Sequence, residues 1–330
     1  MTSPRLPASV TASRRAANHR PPDSVRLQPD LASGLTRRRL LAGLAAAGAL
    51  TACSGSGDTA DDDNGEALAD SDTDVDAAPG SAGNGFTLVQ RFPNNVQVPG
   101  IVRMPITLST GAAQFIQDGP ATLTARVVDI DGAPVGDTFS AVRRDVAPAP
   151  YYDFRTVIDE PGIFSLVVDG GPGEGAAFQV MDPVAVAVPT PGDVLPGFDT
   201  PTVDDPQGFD SLCTRTPEPC PFHEMSLTDA LATGRPVAYY VGTPEFCSTG
   251  SCAPALDALI SAADQFGDQF VFVHAEVFTD SAGLDIAPAV TAVGMTYEPA
   301  LFITGASGTI VERLDAVWDE TELLERLSLN

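Results

Sequence analysis

The chain has no lysine. All 18 of its basic residues are arginine, set against 44 Asp and Glu, for a formal net charge of -26 over 330 residues. So little positive charge excludes the basic surface that phosphate backbones require, and no nucleic-acid partner is expected. It also excludes the polybasic segment that would hold a protein on anionic lipid by charge alone. The apolar stretch Leu40–Ala52 is short: 13 residues cannot cross the ~30 Å hydrocarbon core as a helix. Cysteines number five, an odd count. What is present is enough apolar residue, 43 %, to build real cores, and a length that suggests about two domains.

Thr36-Arg-Arg-Arg39 followed by Leu40–Ala52 reads as the basic and apolar regions of a signal peptide. Leu50-Thr-Ala-Cys53 resembles the lipobox of bacterial lipoproteins, and Thr36–Leu41 resembles a twin-arginine export signal. The resemblance implies removal of residues 1–52, lipidation of Cys53 and a lipid-anchored, extracytoplasmic location at the cell membrane. The general secretory route would accept the same segment. Residues 1–52 hold 8 Arg and 2 acids, which leaves 10 Arg against 42 acids after cleavage. Residues 53–84 are Asp, Gly, Ala and Ser with few large apolar side chains, and are predicted to be a disordered acidic tether.

Residues 85–183 alternate apolar and polar in seven short runs separated by Gly, Pro, Asn and Asp. The pattern predicts an all-β, immunoglobulin-like sandwich. Asp159-Glu-Pro-Gly162 ahead of Ile163–Val168 resembles a late hairpin of such domains in exported bacterial proteins. No histidine and no catalytic constellation stand in this region. Residues 184–225 are rich in Pro, Asp and Gly and read as a linker carrying Cys213 and Cys220.

From residue 226 the period changes. Ser226–Ala232 reads as a short helix, Pro236–Val241 as a strand, and Cys252–Phe266 as a helix ended by Gly267. Phe270–Val277 follows as a strand and Pro288–Val293 as a short helix. Ala300–Thr304 and Thr309–Arg313 are strands, and Asp319–Leu327 is a closing helix with Asp319 and Glu322 spaced as a capping box. This order, with Phe246-Cys247, Cys252 and Glu298-Pro-Ala-Leu-Phe-Ile303, resembles the thioredoxin fold. The chain as a whole resembles bacterial lipoproteins with a C-terminal thioredoxin-like domain, here over residues 226–330. The resemblance implies that Cys247 attacks and Cys252 resolves in thiol–disulfide exchange. It implies that Pro299 is a cis-proline shaping the substrate groove, and that the partners are client or redox-partner proteins. No cofactor is implied.

The motif departs from Cys-x-x-Cys: Cys247 and Cys252 are five positions apart. On a helix that offset turns about 140° at roughly 100° per residue, which cannot meet disulfide geometry. Either Cys247 lies off the helix or the helix unwinds for bonding; Gly250 makes the first easy, with Ser251 as N-cap and Cys252 opening the helix, where backbone amides favour a thiolate. No acid stands near Tyr239–Tyr240, and no Arg stands in the loop. Glu298 would face the sulfurs and raise a thiol pKa. The residues thus leave two readings open: a redox-active pair, or a structural disulfide in a non-catalytic binding or assembly lipoprotein.

Cys213 and Cys220 are predicted to form a structural disulfide closing a Pro-containing loop in an oxidising compartment. A metal site from Cys213, Cys220 and His223 competes, but lacks a fourth ligand, so no metal is expected. His274 is read as structural. A minor alternative makes it the distant third ligand of a copper chaperone with Cys247 and Cys252. A thiol peroxidase is the other minor reading, and it would need a threonine where Pro244 stands.

Overall fold

In the computed structural model, which describes residues 85–329, the alternating segments form seven strands. They are β1 Thr87–Gln90, β2 Gly100–Ser109, β3 Thr122–Asp129, β4 Pro134–Arg144, β5 Tyr151–Ile158, β6 Gly162–Val168 and β7 Ala176–Val180. Period-two patterning is clearest in β7, which alternates buried and exposed, while β2 is buried on both faces from Val102 to Ser109. On β2 the inward set is Val102, Met104, Ile106 and Leu108, which meets Leu123, Val127, Phe154, Leu166 and Phe178 in one core. Each such side chain contributes about 1.5–3 kcal/mol by leaving water.

The seven strands join in a single antiparallel sheet of order β1-β2-β5-β4-β3-β6-β7. β4 is the reason they do not separate into two layers. It pairs with β3 over Pro134–Val142, then with β5 through Arg143 and Arg144. One strand thus serves both halves, and the sheet curls until its ends approach. The Gln90 side-chain amide of β1 donates to the Ala177 carbonyl of β7.

A second sheet has order β11-β10-β8-β9, from β8 Val237–Val241, β9 Val271–Ala275, β10 Ala300–Thr304 and β11 Ile310–Asp315. β8 and β9 are parallel, and the other pairs are antiparallel. The helices are α1 Leu227–Ala232, α2 Cys252–Phe266, α3 Pro288–Ala292 and α4 Glu320–Leu327. One face of this sheet packs Tyr240, Leu301 and Ile303 against Leu256 and Leu259 of α2 and Leu323 of α4. The other packs Tyr239 and Phe302 against Leu227 of α1 and Val290 of α3, together with Val188 and Leu195 of the 184–225 segment. The caps follow the sequence: Ser226 Oγ accepts from the Asp229 amide, and Asp319 Oδ1 from the Glu322 amide at 2.7 Å.

Two expectations are corrected. The expected immunoglobulin-like sandwich of separate sheets is replaced by one nearly closed, barrel-like antiparallel sheet. The expected α/β thioredoxin-like domain is not supported either. The described residues are mostly β, their α-helices span 6, 15, 5 and 8 residues, and only one strand pair is parallel. Element order within 226–330 agrees with the sequence, but so little helix and so little parallel pairing do not make a clear α/β thioredoxin fold. The expected signal peptide of residues 1–52, Cys53 and the tether of residues 53–84 lie outside the described residues.

Both sheets belong to one compact unit. Arg103 of β2 and Arg155 of β5 reach the buried carboxylate of Glu322 on α4, and Arg144 of β4 reaches Asp319 and Glu325.

Candidate redox site and a buried Cys/His cluster

β8 ends at Val241, and the chain runs through Gly242 and Thr243 into a loop and then α2. Cys252 is the first residue of α2 and Cys247 stands in the loop, as their offset demands. They are joined by a disulfide with Cα atoms 6.0 Å apart. Gly250 makes the turn, with φ of +67° and its amide donating to the Cys247 carbonyl at 3.1 Å. A side chain there would be strained. Ser251 holds the N-cap position but makes no capping bond; its hydroxyl pairs with Thr249 Oγ1 at 2.6 Å. Cys252 is fully buried and Cys247 is partly exposed. A partner sulfur can therefore reach Cys247 alone, which leaves Cys252 the inner member.

Glu298 approaches from the start of β10, ahead of a cis Glu298–Pro299 peptide. Its Oε2 accepts from the Thr243 amide at 2.7 Å and lies 3.5 Å from Cys252 Sγ. Burial pushes this carboxyl above the ordinary carboxylate range, although the Thr243 amide opposes the rise. A carboxyl so placed can take or return the proton of Cys252 once the disulfide opens. Pro299 passes close to Gly242: a Cβ on that glycine would come within 3.1 Å of Pro299 Cβ and collide with the Tyr240 hydroxyl. Only glycine permits this approach.

Two clefts flank the pair. One runs between Ser248, Thr249 and Glu298 and the apolar side chains of Val277, Val290 and Met295. The other has Val89 of β1, with Phe92 and Phe115 from the segments after β1 and β2, as its opposite wall. The seven-stranded sheet thus borders the redox loop, a role the sequence did not reveal.

The second cysteine pair departs from expectation. Cys213 and Cys220 are not bonded to each other, which corrects the predicted structural disulfide. The loop closes through a hydrogen bond instead, the Cys220 amide donating to Cys213 Sγ at 3.3 Å. Cys220 Sγ turns to two imidazoles, 3.3 Å from His223 Nε2 and 3.3 Å from His274 Nδ1, and those nitrogens lie 3.2 Å apart. All four residues are buried. Contact with Cys220 holds the Cys213 thiol far below its ordinary range, and the same contact pushes Cys220 up.

β9 explains how residues so distant in sequence meet. It is the edge strand of the second sheet, and the His274 amide donates to the Phe222 carbonyl, which lays segment 220–223 along that edge. His274 therefore joins Cys213, Cys220 and His223, and does not complete a site with Cys247 and Cys252. The third ligand-type residue at the disulfide is Glu298. Phe270, Phe272, His274 and Glu276 alternate along Phe270–Val277 and so share one face, but alternation alone does not give the partner of that face.

The chain matches no protein-family model, and no curated protein is similar to it in sequence.

Proposed function

We propose that this chain is a thiol–disulfide exchange protein acting through Cys247 and Cys252. The observation that carries the reading is the asymmetry of the pair: an outer sulfur on a glycine-hinged loop, an inner sulfur at a helix N-terminus, and a carboxyl of raised pKa beside the inner one. In the reducing direction, the Cys247 thiolate attacks a disulfide of a client protein. One client sulfur leaves as thiolate and a mixed disulfide forms. Cys252 gives its proton to Glu298 and attacks Cys247 Sγ. The second client sulfur leaves, the client is reduced to a dithiol, and Cys247–Cys252 is oxidised. The reverse sequence oxidises a client dithiol. The helix N-terminus favours the Cys252 thiolate. The flanking clefts offer apolar walls for the client segment around its cysteine.

The same reading includes export and lipid anchoring at Cys53, supported by the pattern of residues 36–53. Among the described residues no helix is long and apolar enough to cross a membrane. A second reading, a non-catalytic binding or assembly lipoprotein, is favoured by one observation: a carboxylate at Glu298 would oppose thiolate formation at Cys252 and settle the pair as a disulfide.

Trapping separates them. Full-length Cys252→Ser should accumulate mixed disulfides through Cys247 in cell extracts, released by reductant and absent from Cys247→Ser/Cys252→Ser. Equal, negligible trapping by both variants supports the non-catalytic reading.

A further inference from the structure

We propose that Cys213, Cys220, His223 and His274 form a structural zinc site. Their four ligand atoms all lie within 4.8 Å of one another. In a tetrahedral site with Zn–N of about 2.0–2.1 Å and Zn–S of about 2.3 Å, nitrogens stand about 3.3–3.4 Å apart and a sulfur about 3.6 Å from a nitrogen. The observed separations of 3.2 and 3.3 Å match these edges to within ~0.3 Å. Two thiolates and two neutral imidazoles cancel the charge of a divalent ion, which suits a buried position. Two soft sulfurs with two imidazoles select zinc over the oxygen-seeking ions.

The surroundings orient the ligands as metal sites require. His274 Nε2 is 2.9 Å from the Gly242 carbonyl, so that nitrogen carries the proton and Nδ1 presents its lone pair to the cluster. Glu276 Oε1 lies 3.9 Å from the same Nε2 and accepts from the Thr214 amide at 2.7 Å, next to Cys213. Aromatic rings close the site: Tyr240 stands 5.1 Å from the His274 ring, and Phe222 stacks on Phe272. Four protein ligands leave no open position, so the ion would be structural and not catalytic. It would clamp segment 213–223 onto the edge of β9. Zinc binding would also keep these two sulfurs from exchanging with Cys247–Cys252, which lies beyond Tyr240. The Tyr240 hydroxyl donates to the Cys252 carbonyl at 2.8 Å.

The test uses the full-length chain, purified without chelator or reductant. Metal content is read by plasma mass spectrometry, and each cysteine by alkylation and peptide mapping. The expected result is about one zinc per chain, with Cys213 and Cys220 alkylated only after the ion is stripped. Co2+ in its place should give the visible bands of a tetrahedral site and a thiolate charge-transfer band. Cys247→Ser/Cys252→Ser should keep that spectrum. His274→Gln should weaken Co2+ binding by more than the roughly 10–100-fold that losing a supporting partner costs. Should His274→Gln fail to fold, the wild-type chain decides: stripping the ion must lower its melting temperature, and Zn2+ must restore it. A metal-free Cys213–Cys220 disulfide, a reduced chain that takes up no Co2+, or a Co2+ spectrum that survives His274→Gln and vanishes in Cys247→Ser/Cys252→Ser overturns the assignment.

Discussion

Arg103 of β2 and Glu322 of α4 meet across 219 residues of sequence through two hydrogen bonds, from Nε and Nη2, each 2.7 Å long. Arg155 adds a third at 2.7 Å and the Tyr151 hydroxyl a fourth at 2.5 Å, so the fully buried carboxylate has a partner for every lone pair. This is the polar anchor between the two sheets. Such a pair adds little relative to an apolar one, but halving it leaves a charge buried alone.

Glu322→Gln should therefore cost up to about 3–5 kcal/mol of stability, because Arg103 and Arg155 lose the carboxylate they share and keep only Asp153 and, for Arg155, Glu312. Tyr151→Phe should cost less, about 1.5–3 kcal/mol, the worth of one hydrogen bond to a charged group. Urea denaturation of the full chain measures both. A loss below about 1 kcal/mol for Glu322→Gln would mean that the sheets are not held through this carboxylate.

Stability should peak in mild acid. Burial, then repulsion from Glu322, raises the folded pKa of Asp153 from 3.8 to about 6. The stability tied to that proton is fully present below 3.8 and is lost as pH rises through about 6. Glu322 acts oppositely. Burial opposes its charge, but Arg103 and Arg155 outweigh burial and hold its pKa well below 4.5, so its contribution is present above 4.5 and is lost in stronger acid. Melting temperature should rise from pH 7 toward pH 5 and fall again below about 4, and Asp153→Asn should flatten the upper limb. A wild-type melting temperature that climbs steadily from pH 5 to 8 contradicts this.

The proton role of Glu298 is checked by following resolution of a mixed disulfide between Cys247 and a small aromatic thiol. Glu298→Gln should slow that step at neutral pH by at least about tenfold, since the proton acceptor for Cys252 is gone. Raising the pH should recover the rate as hydroxide takes over. A faster step in the variant would show that the carboxylate acts on Cys252 only as a repelling charge.

Much of the local structure was legible. The limits of α2 follow from Gly267 and from the impossibility of both cysteines lying on one helix. The start of β10 follows from Pro299. The closing helix is capped by Asp319 as expected, but Glu322 does not complete the capping box because its carboxylate turns to Arg103. What failed is nonlocal. That β4 pairs with both β3 and β5 depends on two residues at its end, Arg143 and Arg144, whose partners no periodicity reveals. The fourth member of the Cys213 cluster was also hidden, because 51 residues separate His223 from His274 and only the edge position of β9 brings them together. An inward-facing histidine on an alternating strand was the available signal.

The most direct test of the exchange activity is the reduction potential of Cys247–Cys252 in the full-length chain, equilibrated in glutathione buffers and read cysteine by cysteine by alkylation and mass spectrometry. A working exchange pair should lie between about -270 and -120 mV. A value below about -300 mV would make the bond a settled structural disulfide and contradict the account.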